Sequence, residues 1–376
     1  MAGIYIHIPF CRQACNYCNF HFSTSLLLKD EFLSSLIKEI ALIESITNIH
    51  ETIDTIYFGG GTPSLLSSNE MSPVFEALQK KFNINGNAEI TLEANPDDIN
   101  KIILNEWLNM GINRLSLGVQ SFKEEELKWM NRAHNVTESL KSIDEILDSG
   151  FDNFSVDLIF GSPLLSNGEL EKNLQVIFNK NVPHISCYAL TVEPKTALNK
   201  LIKQKRSLPV NSEKQASQFL LLMDAMKQQG YEHYEISNFA KPAMRSKHNS
   251  SYWQGKPYYG FGPSAHSFNG LNKRRWNIAN NALYIQSIKN NKIPFEEETL
   301  TDTQRLNEYI MTALRTIEGI DTEKVSLEFG VDRLKKLNTN VQKYIDSNKV
   351  TIQNTNIVLT NEGKLFADGI AADLFF

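Results

Sequence analysis

The sequence predicts an α/β protein in two parts: a partial barrel of parallel strands with crossover helices, then a smaller, mostly helical domain that ends in a hairpin. Three observations carry this. Short strand-like runs alternate with amphipathic helical segments through the first two-thirds of the 376 residues, and such alternation implies parallel strands joined by crossover helices. From about Thr301 the pattern changes to consecutive helices followed by two short strands. Residues suited to chemistry recur at strand ends, which a parallel barrel gathers on one rim.

The strand-like runs are Ile4–Ile8, Thr55–Phe58, Glu89–Glu93, Arg114–Gly118, Phe154–Ile159, Ile185–Leu190 and Glu232–Ile236. Seven strands suffice for most of a barrel. Between them, Lys29–Ser45 places Phe32, Leu36, Ile37, Ile40 and Ile43 on one helical face, and Met71–Phe82 does the same with Val74, Phe75 and Leu78. Residues 1–240 read as the barrel and 241–300 as a connecting segment. Within the latter, Tyr258 to Gly262 mixes aromatic and polar residues without a period and reads as loop. Residues 301–376 read as a separate domain. Gln304–Thr316, Thr322–Phe329 and Leu334–Ser347 are helical, and Val350–Ile352 and Ile357–Leu359 flank Asn354-Thr-Asn as a hairpin, an order similar to a winged helix. This last part holds nine Lys and Arg against eleven Asp and Glu, so it is expected to act as a lid or interaction domain, not a DNA reader.

Composition narrows the function classes. A net charge of −5 and a pI near 6.0 argue against nucleic-acid binding. No apolar run reaches membrane-spanning length, so an integral membrane protein is not expected. The chain enters a strand directly, without a basic-then-apolar leader, and a cytoplasmic location is expected.

Three of the four cysteines, Cys11, Cys15 and Cys18, fall within eight residues, on the loop that Pro9 opens after the first strand. A loop lets three thiolates converge, and so dense a soft cluster indicates a metal or iron–sulfur site. Three ligands leave one iron of a four-iron cube open. A zinc knuckle completed by His7 or His21 is the alternative, and a disulfide does not suit a chain without signs of secretion. After the second strand comes Gly59-Gly60-Gly61-Thr62-Pro63, where backbone groups can approach a ligand unobstructed. It lacks the Gly-Lys-Ser/Thr of a phosphate loop. Glu93 closes the third strand, Gln120 follows the fourth, Asp157 lies late in the fifth, and Arg132 is nearby in sequence. Taken singly, each has an ordinary structural explanation. Cys187, on the sixth strand, reads as a buried apolar residue.

Cys-x3-Cys-x2-Cys with Tyr17 before the third cysteine resembles the signature of the radical S-adenosylmethionine (SAM) superfamily. The flanking Tyr5-Ile-His-Ile-Pro-Phe-Cys11 is similar to the branch that holds the oxygen-independent coproporphyrinogen oxidases and the HemW proteins. This resemblance implies a [4Fe-4S] cluster on Cys11, Cys15 and Cys18, with SAM chelating the open iron. It implies Tyr5 and Tyr17 on the cofactor side of the cluster, and Gly60, Gly61 and Thr62 at the methionyl amino end. Glu93, Gln120 and Arg132 would contact the methionyl and ribose parts, with Asp157 deeper. A guanidinium suits a carboxylate, and acidic groups suit an ammonium and hydroxyls.

His248-Asn249-x-x-Tyr252-Trp253 resembles the motif associated with haem in HemW proteins, which makes His248 the expected haem contact and His266 a second candidate. Arg274 and Arg275 could meet carboxylates or form an exposed basic pair. In the oxidases a fourth cysteine follows the third by two places, where this chain has Phe20, and a long extension precedes the equivalent of Tyr5. The resemblance therefore implies a haem chaperone that delivers haem to an acceptor protein, with a membrane-associated respiratory protein as a candidate acceptor. The alternative is an oxygen-independent coproporphyrinogen III oxidase, decarboxylating propionates by radical chemistry.

Overall fold

The structure is a computed structural model that describes residues 2–43 and 51–376. Its framework follows from an alternation inside the strands themselves. Strand β1 is Ala2–Ile8, β2 Ile53–Gly60, β3 Ile84–Ala94, β4 Arg114–Gln120, β5 Phe154–Phe160 and β6 His184–Ala189. All five neighbouring pairs are parallel and in chain order. One face carries Ile56, Phe58, Ile90, Leu92, Leu115, Leu117, Val156, Leu158, Ile185 and Cys187, packed with the crossover helices into one core. The other carries Tyr5, Thr55, Tyr57, Thr91, Glu93, Arg114, Ser116, Ser155, Asp157, His184 and Ser186. Side chains alternate along a strand, so a period of two in polarity makes a barrel with an apolar outside and a polar inside.

The first crossover helix, Lys29–Leu42, buries Phe32, Leu36 and Ile40, and the second, Ser68–Lys81, buries Met71, Val74, Phe75 and Leu78. Both follow the expected apolar stripes, although Ser45, the expected end of the first, lies outside the described residues. Ser67 and Glu70 form a capping box that starts the second helix.

Two expectations are corrected. The seventh strand, β7 (Glu232–Glu235), is not parallel. It forms a hairpin with β8 (Asn238–Ala240), and β8 pairs antiparallel with β6. Two residues join β7 to β8, too few for a crossover. The supposed connecting segment is also structured. The helix Lys247–Trp253 crosses over to β9 (Tyr258–Phe261), which pairs parallel with β1 on its free edge. Strands β10 (His266–Phe268), β11 (Lys273–Asn277) and β12 (Phe295–Thr299) then add antiparallel, completing a 12-stranded sheet.

The C-terminal part has its own core of Leu306, Ile310, Leu314, Ile320, Val325, Leu337, Val341 and Ile357. Helices Asp302–Leu314, Thr322–Phe329 and Val331–Asp346 pack with β13 (Ile320–Asp321), β14 (Val350–Gln353) and β15 (Asn356–Leu359). The strand order β13-β15-β14, all antiparallel, gives the winged-helix arrangement. Among the described residues no helix is long and apolar enough to cross a membrane.

Candidate functional site

The cysteine loop leaves the C-terminal end of β1. Backbone bonds fix its two arms: Cys11 N–H donates to Ser23 O at 3.0 Å, and Ser23 N–H to Pro9 O at 2.9 Å. Its tip is held by Asn16, whose N–H donates to Met130 O at 2.9 Å and whose carbonyl accepts from Leu198 N–H at 2.7 Å. Arg12 pins it to the loop after β3 through Asp98 at 2.7 Å. All three thiols are free and half-buried. Burial pushes Cys11 up to about 11 and raises Cys18, with the Arg132 cation opposing the shift at both. Among the described residues no three His, Cys, Asp or Glu side chains meet as ligands of a single ion. His7 and His21, the candidates to complete a zinc site, are engaged elsewhere: His7 Nε2 lies 2.8 Å from His21 O, and His21 Nε2 lies 2.7 Å from Asn281 Oδ1. Three soft donors on separate arms of a loop fit a cluster, which spreads its thiolates over three irons.

The neighbouring strand ends assemble around this loop. The turn after β2 is pressed against it. Gly61 and Thr62 N–H donate to Ile8 O and Phe10 O at 2.8 and 2.7 Å. A Cβ on Gly61 would stand 2.5 Å from Phe10 O, and Gly60 has φ +108 with the His7 ring against it, so both positions require glycine. Gly60 N–H donates to Glu93 at 3.2 Å, and Tyr57 OH donates to the other Glu93 oxygen at 2.8 Å. Burial, then the nearby Asp157, raises Glu93 to about 7. Gln120 ends β4 with φ +68, at a register shift against β5 that turns its side chain toward the rim. Arg132 and Gln120 converge over Gly118.

The Arg132 guanidinium bonds Asn95 Oδ1 at 2.7 Å, Gly118 O at 2.8 Å, Cys15 Sγ at 3.3 Å and Tyr17 OH at 3.5 Å, leaving Nε buried without a partner. Burial works against its charge, but Tyr17 and Cys15 beside it hold the pKa above the usual value. Arg132 therefore braces the cysteine loop as well as facing the mouth. Asp157 lies deeper, bonded by Ser116 Oγ at 3.2 Å, and burial raises it to about 6. The structure thus brings Tyr5, Tyr17, Gly60, Gly61, Thr62, Glu93, Gln120, Arg132 and Asp157 around one mouth.

His248 is placed differently from the expectation of an open ligand. It is 0 % exposed, within the helix Lys247–Trp253 rather than on a loop. Nδ1 lies 2.8 Å from Thr55 Oγ1, Nε2 lies 2.8 Å from Tyr252 OH, and the ring stacks on Tyr57 at 5.0 Å. Burial and Arg114 lower it to about 3, so it is a neutral core residue with both nitrogens engaged. The Glu89 carboxylate accepts from Lys247 and His248 N–H at 3.0 and 2.9 Å, anchoring this helix midway along β3, level with Thr55 near the start of β2 and away from the strand ends that carry the cysteines.

Tyr252 and Trp253, from the same motif, do reach open space. They line a cavity of about 810 Å³ between the cysteine loop, β9–β11 and the C-terminal domain. Its aromatic walls include Phe20, Tyr258 and Phe329, and its rim carries Arg274 and Lys324. Phe20 is 70 % exposed. Arg275, paired with Arg274 in the sequence, is instead 6 % exposed and lies over the Phe295 ring.

Sequence reasoning missed the inward row of Thr55, Tyr57, Thr91, Arg114, Ser116, Ser155, His184 and Ser186. The signal was there. Parallel strands covered on both faces read as continuous apolar runs, and strict alternation in β2–β6 marks a polar interior. Cys187 falls on the outward face, 2 % exposed, where burial raises its thiol pKa.

Comparison with known proteins agrees with this architecture. Residues 5–177 match the radical SAM superfamily and residues 300–366 the HemN C-terminal domain. Coproporphyrinogen III oxidase (HemN) from Escherichia coli superposes with a TM-score of 0.87, covering 100% of this chain and 90% of that one, at 22% identity, which shows a shared fold. The heme chaperone HemW of Bacillus subtilis is 33% identical over 98% of both chains. That of Lactococcus lactis is 30% identical over 96% of this chain and 93% of its own. Radical S-adenosyl methionine domain-containing protein 1, mitochondrial, of Danio rerio is 29% identical over 98% of this chain and 86% of its own. The chain belongs to the HemW family of the radical SAM superfamily. Membership implies an iron–sulfur cluster and SAM as resident groups.

Proposed function

We propose that this protein is a haem chaperone, binding haem in the cavity beside the barrel mouth and passing it to an acceptor protein. The observation that carries this is the cavity itself. At about 810 Å³ it falls in the range of sites for cofactor-sized molecules. Its walls offer flat aromatic faces for a macrocycle and its rim offers cations for propionates. Relatives that match nearly the whole chain are named heme chaperones. Phe20 stands in the wall at the position where the oxidases have a further cysteine.

In this reading Cys11, Cys15 and Cys18 hold a [4Fe-4S] cluster, which supplies one-electron chemistry and an open iron when bound. SAM would be held by residues at the mouth. The N–H groups of Gly60, Gly61 and Thr62 are already engaged. A methionyl ammonium there would find its acceptor in the Glu93 carboxylate beside that turn. Gln120 and Arg132 flank the methionyl and ribose parts, Tyr5 and Tyr17 close the cluster side, and Asp157 supports from below. His248 acts through Tyr252, whose hydroxyl it holds at the cavity wall. Four free thiols suit a reducing compartment, the cytoplasm.

The test is anaerobic reconstitution with iron and sulfide, then titration of haem and SAM on the same sample. Cluster absorption, tight haem uptake and release of that haem to an apo-acceptor are the expected results. Wild-type protein that assembles a cluster but leaves the haem spectrum that of free haem overturns the chaperone reading.

A further inference from the structure

Three histidines line the cavity: His7, His21 and His266. Two are spoken for. His7 uses Nε2 on His21 O and Nδ1 on Tyr5 OH, at 2.8 and 3.2 Å, and His21 uses Nε2 on Asn281. His266 has no hydrogen-bond partner on either ring nitrogen among the described residues, and it is solvent-exposed. Its backbone is fixed in β10, opposite Trp276 of β11, with the two rings stacked at 6.0 Å. A Cβ on Gly260 would stand 1.9 Å from His266 O, so β9 packs against this strand without a side chain between them. Partial burial, then Arg274, lowers the His266 pKa, which keeps the imidazole neutral and its lone pair available.

The cations of the rim divide in the same way. Arg274 pairs with Glu298 and, at 2.8 Å, with Glu308. Arg305 pairs with Asp302 and Glu328 at 3.2 and 3.8 Å, and Lys324 with Glu328 at 4.0 Å. Lys256 also lines the cavity, and its ammonium has no carboxylate partner among the described residues.

We propose that His266 is the protein ligand to the haem iron, and that Lys256 receives a haem propionate. This rests on the haem reading above and moves the ligand from His248 to the wall imidazole that, among the described residues, has neither ring nitrogen bonded. A neutral imidazole nitrogen is a usual axial ligand, and an unpaired ammonium gains more from a new carboxylate than an arginine already between two. His266 binds through its lone pair without proton loss, so affinity falls as the pH is lowered through the His266 pKa.

The cluster-loaded protein is titrated with haem as wild type, His266→Gly and Lys256→Glu. The expected result for His266→Gly is loss of the imidazole-ligated Soret band and at least tenfold faster haem loss, with the band restored by added imidazole. Lys256→Glu is expected to weaken haem several-fold and leave binding of the haem dimethyl ester, which lacks propionate charge, unchanged. Circular dichroism and iron content are followed in each variant. His266→Gly with a wild-type spectrum and off-rate overturns the ligand assignment while wild-type uptake preserves the chaperone reading. Equal weakening of haem and its diester by Lys256→Glu overturns the propionate assignment. Wild type that takes up no haem overturns both readings together.

Discussion

Glu93 shows how a single side chain sets a measurable behaviour. Burial raises it to about 7, and its partners are Tyr57 OH and Gly60 N–H. An ammonium ligand binds the ionised carboxylate. Below pH 7 the carboxyl must first lose its proton, and each unit of pH then costs up to about 1.4 kcal/mol of binding. SAM affinity is expected to rise toward a plateau between pH 6 and pH 8, with proton release below the plateau. Glu93→Gln should bind more weakly and lose this slope. Calorimetry in two buffers of different ionisation enthalpy measures both; an unchanged slope in the variant would place the titrating group elsewhere. Stability of the unliganded protein responds in the opposite sense. The folded-state pKa is above the unfolded value, so Glu93's contribution is present at low pH and is lost as pH rises toward 7.

At the scale of elements, Glu39 shows how the sheet extension is held to the barrel. It projects from the helix Lys29–Leu42, is 1 % exposed, and accepts from Tyr284 OH at 2.6 Å, Asn277 Nδ2 at 2.6 Å and Gly262 N–H at 2.8 Å. Burial raises its pKa despite these bonds. Glu39→Ala removes three buried hydrogen bonds, those from Tyr284 OH and Gly262 N–H and one of the two that Asn277 Nδ2 makes, at about 1 kcal/mol or more each. A loss of about 3 kcal/mol is expected in denaturant melts, and a loss below 1 kcal/mol would mean that water replaces the carboxylate. The same scale explains what was legible. Crossover helices were readable because apolar spacing reports one buried stripe. The segment after Lys241 was misread as loop because β9 and β10 are short and gain their pairing from β1 and from each other, partners remote in sequence or too brief to show a period.

For the whole molecule, the decisive contact is between barrel and C-terminal domain. Arg315 bonds the buried Glu235 at 3.0 Å and Asp368 at 3.1 Å, and lies over the Trp253 ring at 5.3 Å. Trp253 lines the cavity on one side while the C-terminal domain supplies Tyr309, Met311 and Phe329 on the other. Arg315→Ala removes a charge partner from a buried carboxylate, at a cost of about 2 to 3 kcal/mol, and loosens the cavity wall. Haem loss should quicken several-fold with iron content unchanged, measured by transfer to an apo-globin acceptor. Unchanged transfer would show that the domain contact does not govern the cavity.

Local information sufficed for what is local in chemistry. Three thiols on one loop, a glycine turn, strand-end carboxylates and helical stripes are each written in adjacent residues, so the α/β alternation, the cysteine loop and the gathering of strand ends on one rim were legible, while the role of each rim residue came only with the family resemblance. Tertiary structure decided what depends on distant partners. It sealed His248 between Thr55 and Tyr252, turned β7 antiparallel, made a sheet extension of an apparent linker and left His266 open at the cavity. The physical reason is that a side chain's type limits what it can bond, but only packing determines which of its bonding positions are already filled.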